Sequence, residues 1–555
     1  MNYYIEQTFK NRGYLDNDAE FIKKMDDYSY DILKDMDVLT QFLYDIRERH
    51  ERIVVLPDFD MDGIMSGVIG LAGLEELGFQ VSLYMPHVSN GYGFGPEDID
   101  EIMSLYPDCK AIITCDVGIT CLEGIKRAKD LGLIVLVTDH HRQFAESEAD
   151  CTIDAHRMDE TYSHPDICGA YTLWKCLITF AERYEDGFMY SQINRLRMFA
   201  GMGTLSDSMP VLYENRKLIK DTLSIARTLC IDSAVLNLTG KYYYKCALSC
   251  FATILADTLK SNGYEVDEAN DVINETFMHF NIIPVFNAGK RMEGDMYKIF
   301  GILLDGVSCM ENWQYAKELN EKRKKLQRKR CDELLSSEQP YAPYIYIGNV
   351  EGGLKGLVAQ ELMNANGVPT CVVSETEEGT YEGSGRSLGG FPMLSILSGK
   401  YGIQCAGHEE AFGVVFTEAD LDVWYAAVQV ELATAVTTTE PVYDFEISSD
   451  EINVPVMFEY LQELEYWRPF GPGFPAPYIK LHIDGTGCVS QKLPNKKGGI
   501  PHLKIRPSSN VSIICWNQGN MKIESSKSYS VVGAFEKNEY NGKITLQFIG
   551  NISED

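Results

Sequence analysis

The sequence predicts an α/β protein with a parallel sheet first, a second α/β unit after a long helix, and a strand-rich end. Three observations carry this reading. Between residues 53 and 137 short apolar runs alternate with helical stretches, the pattern of parallel strands joined by crossover helices. Residues 170–335 keep a helical pattern and end in a charged stretch before Pro340 and Pro343. From about residue 450 short strands are separated by Gly, Pro and Asn turns, which suits a small β-barrel.

The 555 residues suffice for three to four domains at about 150 residues each. Apolar residues make up 45% and charged residues 24%, which is ordinary globular usage. The net charge of −31 excludes indiscriminate polyanion binding by the whole surface. A local basic groove, or carboxylates that gather cations, is compatible with it. The 15 cysteines run from Cys109 to Cys515 without a Cys-x-x-Cys pair, against zinc-ribbon and thioredoxin-like chemistry. An odd, dispersed set implies reduced thiols and a cytoplasmic location. Met1–Glu6 has no basic start followed by an apolar run, so no signal peptide is expected. No stretch approaches about 18 uninterrupted apolar residues, so no membrane span is expected.

In chain order, Leu39, Phe42, Leu43 and Ile46 give an early helix its packing face. Apolar runs at Ile53–Leu56, Val81–Met85, Ala111–Thr114 and Ile134–Val137 read as buried strands. Gly63–Leu77 and Leu122–Leu131 read as helices between them. In such sheets chemistry gathers beyond the carboxyl ends of the strands. Asp58-Phe59-Asp60-Met61-Asp62-Gly63 follows the first strand, Asp116-Val117-Gly118 the third, and Asp139-His140-His141 the fourth.

The segment Lys322–Arg330 carries seven positive charges in nine residues and falls on a predicted connecting helix over 311–338. A second α/β unit starts near Tyr344–Ile347, includes Cys371–Val373 as a strand and Gly383-Ser384-Gly385-Arg386-Ser387, and ends near residue 440. Asn541-Gly542 is a hairpin signal inside the strand-rich end. The expected division is 1–310 for a catalytic domain with a helical extension, 311–338 for the helix, 339–440 for the second unit and 450–555 for the barrel.

Asp58, Asp60 and Asp62 alternate at a strand exit, where extended geometry sends Asp58 and Asp60 to one side. Carboxylates with imidazole suit Mg²⁺, Mn²⁺ or Fe²⁺. The same letters open an EF-hand loop, but its twelfth position would be Ile69 rather than Glu, and a strand rather than a helix precedes it. Two adjacent histidines after a strand can divide the work, one on a metal and one on a substrate phosphate, with Asp139 orienting an imidazole. The bland alternative is a surface pair in a turn. Acids at neighbouring strand ends favour a metal site. Asp207, in Gly203-Thr204-Leu205-Ser206-Asp207, reads alone as an ordinary loop acid.

Taken together these segments resemble the DHH phosphoesterase superfamily, and within it the RecJ single-strand-specific exonucleases. The landmarks stand in family order: Asp58–Gly63, Gly91-Tyr92-Gly93, Asp116–Ile119, Asp139–His141 and Gly203–Asp207. Asn287-Ala288-Gly289-Lys290-Arg291-Met292 follows, then Gly383–Ser387, Ala406–Gly413 and Arg468–Gly473. Two positions depart from the pattern. Ala406 replaces the first glycine of Gly-Gly-His, and His87 stands where an arginine is usual.

The resemblance implies a DHH domain, a DHH-associated domain over the second unit, and an OB-like barrel. It implies two divalent cations, Mn²⁺ or Mg²⁺. Asp58 and Asp116 would hold one, and Asp60, Asp116, His140 and Asp207 the other, with His141 meeting the scissile phosphate and Asp62 in a supporting position. Arg386 with Ser384, joined by Arg291, would clamp a terminal 5′ phosphate, and His408 would line the cleft. Tyr92 offers a face for a nucleobase. Lys322, Arg323, Lys325, Arg328 and Lys329 would track backbone phosphates.

The expected activity is 5′→3′ exonucleolytic hydrolysis of single-stranded DNA to 5′ mononucleotides, in DNA repair or recombination. A helicase and a single-strand-binding protein would present the strand. No G-x-x-x-x-G-K-[ST] sequence occurs, so ATP is not expected as a partner. Two other readings stay open: a DHH-type phosphodiesterase for short oligonucleotides or cyclic dinucleotides, and a non-catalytic replication-fork scaffold.

Overall fold

The computed structural model describes residues 2–12, 32–86, 93–231, 243–388, 391–435, 443–494, 501–507, 511–540 and 543–555. They form two compact units. The larger comprises residues 30–209 and 221–438, and the smaller residues 1–29, 210–220 and 439–555. The boundaries expected at 310 and 338 fall inside the larger unit, and the described residues 2–12 and 210–220 group with the strand-rich end.

The larger unit opens on a five-stranded parallel sheet of order β2-β1-β3-β4-β5. Its strands are β1 (Arg52–Pro57), β2 (Gln80–Leu83), β3 (Cys109–Cys115), β4 (Ile134–Asp139) and β5 (Cys151–Asp154). Helices Met61–Glu76, Pro96–Leu105 and Leu122–Asp130 make the crossovers. Ile53, Val54, Val55 and Leu56 are all buried, so β1 is covered on both faces and reads as an unbroken apolar run. On one face Val54, Leu56, Ile112, Val135 and Val137 pack with Ile99, Ile102 and Ile125 from two of these helices. Helix Met61–Glu76 is buried from Met61 to Leu74 and packs against helices Gly169–Tyr184 and Arg197–Ser206. The order 2-1-3 places β2 and β3 on opposite sides of β1. The chain changes direction across the sheet there, leaving a crevice between the carboxyl ends of β1 and β3.

The connecting helix runs over Cys309–Ser336, 28 residues, or about 42 Å at 1.5 Å per residue. It leads to a mixed sheet of order β6-β7-β8-β10-β9, with β6 (Ile345–Ile347), β7 (Thr370–Glu375), β8 (Tyr381–Arg386), β9 (Gln404–His408) and β10 (Ala411–Phe416). Alternate residues serve its two faces. Cys371 and Val373 pack with Leu421, Trp424 and Val428 of helix Glu418–Ala435. Tyr346 and Val372 pack with Leu354, Val358 and Leu362 of helix Gly352–Asn366 and with Leu334 of the connecting helix.

The smaller unit holds a seven-stranded sheet, β11-β12-β16-β17-β15-β14-β13. Its strands are β11 (Phe445–Ser448), β12 (Ile479–Asp484), β13 (Val489–Leu493), β14 (His502–Arg506), β15 (Ser512–Cys515), β16 (Ser528–Tyr540) and β17 (Lys543–Glu554). The Asn541-Gly542 turn lies outside the described residues, and Tyr540 and Lys543 on either side of it pair. Helix Tyr3–Asn11 belongs here because Phe9 packs on Trp467 with ring centres 4.6 Å apart, and Tyr4 stacks on Phe445 at 5.0 Å. Residues 210–220 belong here through Arg216, whose buried guanidinium donates to the Trp467 and Pro469 carbonyls. All 15 cysteines are free thiols. Among the described residues no helix is long and apolar enough to cross a membrane.

Candidate metal centre and substrate cleft

Pro57 and Cys115 pair at the ends of β1 and β3, so Asp58 and Asp116 leave adjacent strand ends at the crevice. The Asp58 amide donates to the Cys115 carbonyl (3.1 Å), and the Asp116 amide to that of Thr138 (3.0 Å). Asp116 has φ +65°, a left-handed conformation uncommon outside glycine that functional sites often hold. Gly169 approaches it so closely that a Cβ there would stand 2.5 Å from its Oδ1. Asp60 caps helix Met61–Glu76, accepting from the Asp62 and Gly63 amides. Asn287 Oδ1 accepts from the Met61 amide at 2.8 Å, which ties the Asn287–Met292 motif to the same helix start. Asp62 is buried, and its two oxygens accept from Gly169 N (2.7 Å) and Ala170 N (3.2 Å) at the start of another helix. A Cβ at Gly203 would fall 2.1 Å from Asp62 Oδ1, so the Gly203–Asp207 segment needs glycine at that point.

His140 Nε2 lies 3.1 Å from Asp116 Oδ1, 3.6 Å from Asp207 Oδ2 and 4.0 Å from Asp62 Oδ2. Its carbonyl is held by His156 Nδ1 at 2.7 Å, and the His156 amide donates to Asp154 at 2.6 Å. Asp139 accepts from the His140 and Ile119 amides and meets His141 Nδ1 at 2.8 Å. Of the two histidines it therefore orients His141. Burial works against a charged His141, but the hydrogen bond and charge of Asp139 outweigh it and raise His141 to about 9. Burial, with the neighbouring His141 charge, brings His140 down to about 3. One imidazole is held cationic and the other neutral, the form in which histidine ligates metals.

Ligand atoms converge in three overlapping groups, each within 4.8 Å: Asp58 with Asp60 and Asp116, Asp62 with His140 and Asp207, and Asp116 with His140 and His141. Burial first, and then the charges of its neighbours, raises Asp116 and Asp207 well above the usual carboxylate range and Asp58 to about 6. Asp58 Oδ1 and Asp116 Oδ1 are buried without a hydrogen-bond partner. Buried acceptors facing like charges are costly until a cation meets them. The oxygen-rich donor set with one neutral imidazole fits Mg²⁺ or Mn²⁺. The five expected ligands Asp58, Asp60, Asp116, His140 and Asp207 all fall in these groups. Asp62 joins them in space, but both its oxygens already receive amides, which suits a strut better than a ligand.

A side chain the sequence reading did not single out stands beside them. Lys290 Nζ is 3.1 Å from Asp58 Oδ2 and 3.4 Å from Asp60 Oδ2. Its position one residue before Arg291, in a motif already picked out, is the only sequence signal for it. His156, which meets the His140 carbonyl, and Asp154, which accepts from the His156 amide, were also missed, since both act through the backbone.

A cavity of about 310 Å³ opens beside the cluster, lined by Asp60, Asp207, Asn287, Lys290, Arg291 and Gly353. Burial, with the like charges of Arg323 and Arg386, brings the Arg291 guanidinium down to about 10. Arg386 donates to the Gly385 carbonyl at 2.8 Å and lies over Gly356, where a Cβ would meet its Nη2 at 2.5 Å. Ser384 shares one face of β8 with Arg386 and lines a second cavity of about 530 Å³ with Gly352, Lys355 and Gln404. His408 ends β9 opposite Ala411, and its side chain lies outside the described residues, as do Tyr92 and His87.

The expected phosphate track divides. Lys322, Lys325, Arg328 and Lys329 are exposed, with Lys329 shared by Glu333 at 3.6 Å. Arg323 does not belong with them: it is 8% exposed and bonded to Asn320 Oδ1 and Gln327 Oε1. It stands on the buried stripe of the connecting helix with Ala316, Leu319 and Asn320.

The chain is similar to known proteins over most of its length. The DHH family N-terminal domain matches residues 52–198, and the RecJ OB domain matches residues 443–551. The single-stranded-DNA-specific exonuclease RecJ of Bacillus subtilis is 26% identical over 514 residues, covering 89% of this chain and 60% of that protein. This chain thus spans less than two thirds of that relative's length. The protein of the same name from Thermus thermophilus is 25% identical over 524 residues, covering 93% of this chain and 70% of the relative. The crystal structure of RecJ with Mn²⁺ from Thermus thermophilus superposes with a TM-score of 0.74 at 21% identity, covering 100% of this chain and 76% of that one. That likeness is one of fold.

Proposed function

We infer the function from the premise that this chain is a RecJ-like protein of the DHH family, with that family's N-terminal domain and a RecJ OB domain. It is a single-stranded-DNA-specific 5′→3′ exonuclease that releases 5′ mononucleotides by metal-dependent hydrolysis. The observation that carries this reading is the convergence of Asp58, Asp60, Asp116, His140 and Asp207 at the sheet's switch point, with buried oxygens awaiting a cation.

Asp58 and Asp116 would hold one divalent ion, and Asp60, Asp116, His140 and Asp207 the second. Such a pair would supply a lowered pKa for bound water and positive charge for the in-line transition state. His141, kept cationic by Asp139, donates to an oxygen of the scissile phosphate. Arg291 and Arg386, with Ser384, grip the terminal 5′ phosphate, because guanidinium forks match phosphate oxygens and are always charged. A grip on one end of a strand gives the enzyme its polarity. Lys322, Lys325, Arg328 and Lys329 follow the backbone of the incoming strand, and the OB domain adds a stacking platform. A helicase and a single-strand-binding protein present the strand, in DNA repair or recombination.

The OB domain speaks against a phosphodiesterase confined to dinucleotides, and the retained ligand set speaks against a scaffold without catalysis. The test is digestion of end-labelled single and double strands with Mn²⁺ and with chelator. Mononucleotides should leave the 5′ end of single strands in Mn²⁺ alone. Release from the 3′ end, equal attack on duplex, or inertness on single strands would refute the reading.

A further inference from the structure

We propose that Lys290 is a built-in cation that pairs with Asp58 and Asp60, one ligand from each ion's set, in the ion-free protein and must be displaced when divalent ions enter, so that it sets the protein's metal affinity. The inference rests on the binuclear reading above and adds a residue that opposes loading.

Its ammonium reaches two of the expected ligands at once, 3.1 Å from Asp58 and 3.4 Å from Asp60. An ammonium brings three donors and no acceptor. It can therefore do for these oxygens what an ion does, with one charge instead of two. The placement is built by the fold. Asn287 is bonded to the first amide of helix Met61–Glu76, which Asp60 caps, so the segment bearing Lys290 is fixed to the structure that carries its partners. The side chain is one-third exposed and lines the cavity beside the cluster, so it has room to withdraw. Its four-carbon stem permits that movement without moving the backbone.

Two consequences follow from charge alone. In the ion-free protein Lys290 relieves the mutual repulsion of Asp58 and Asp60. On loading, the ion must break both contacts and then bind beside a displaced positive charge, and each costs affinity. Removing the ammonium should therefore tighten metal binding while it destabilises the ion-free protein, a pair of opposite effects that loss of an ordinary packing residue does not produce.

The test is Mn²⁺ binding to the full chain, followed by the paramagnetic signal of free Mn²⁺ and without nucleic acid, for the wild type, Lys290→Met and Lys290→Gln. The variants should bind at least one of the two ions about tenfold more tightly, the factor that corresponds to about 1.4 kcal/mol. They should also melt at a lower temperature in chelator, and gain more from Mn²⁺, than the wild type. Equal or weaker Mn²⁺ affinity in both variants would overturn the proposal. A wild-type chain that binds no pair of ions would overturn the binuclear reading itself, an outcome visible before any variant is measured. If Lys290→Met is obtained only with Mn²⁺ bound, competition with a chelator of known affinity gives the same comparison.

Discussion

Asp116 groups with Asp58 and Asp60 on one side and with His140 and His141 on the other, so it is the one carboxylate within reach of both halves of the cluster. Asp116→Asn keeps its size and removes its charge. Hydrolysis should fall by more than about a hundredfold, beyond the 10–100-fold that partners outside the ligand shell cost, and bound Mn²⁺ should drop from two ions to at most one. Near-normal turnover would remove its bridging role. Asp58 makes a separate prediction in chelator. Burial and the Asp60 charge raise its carboxyl to about 6 in the fold, against about 3.9 in the unfolded chain. The folded protein holds the extra proton, so the stability from this group is complete below pH ~3.9 and is lost as pH rises through 6. The wild type should therefore lose stability relative to Asp58→Asn as pH rises from 4 to 7. Urea unfolding across that range would read it, and parallel curves for the two proteins would contradict it. Arg386→Ala should slow 5′-phosphorylated strands at least about tenfold more than 5′-hydroxyl strands, the scale of a charge-assisted hydrogen bond. Equal losses would dissolve the clamp.

The connecting helix ties the basic run to both α/β parts of the larger unit. Reversing Lys322, Lys325, Arg328 and Lys329 to Glu should weaken long single strands far more than trinucleotides and flatten the salt dependence of binding. No dependence on strand length would make these residues an ordinary solvated face. Arg323 is left out because its guanidinium is spent inside the helix packing. At this scale the sequence was informative where burial is two-sided. β1, β3 and β4 are continuous apolar runs because both their faces are covered, and Asp58, Asp116 and Asp139 were legible as the polar residues that end them. β5 escaped notice because Cys-Thr-Ile-Asp is short and half polar. Asp207 follows a helix, so only the family resemblance marked it. The burial of Arg323 was written in helical spacing from Ala316 and Leu319, but the surrounding charges mask that period. Lys290 was visible only as a member of the Asn287–Met292 motif, since its meaning depends on where one nitrogen lies in space.

For the molecule as a whole, an overall charge of −31 stands against the polyanion that the proposed function assigns to the site. Under that proposal cations, whether metal or guanidinium, would meet the phosphates while the rest of the surface stays acidic. Which segments pack with the strand-rich end depended on Phe9, Arg216 and their distant partners, contacts that no local pattern announces. The central claim is that separated acids and one imidazole form a single binuclear cation cage. Anomalous diffraction at the manganese edge from crystals of the full chain grown with Mn²⁺ tests it most directly. The account predicts two peaks, one against Asp58 and Asp116 and one against Asp60, Asp116, His140 and Asp207. A single peak elsewhere, or none among these five side chains, would contradict it.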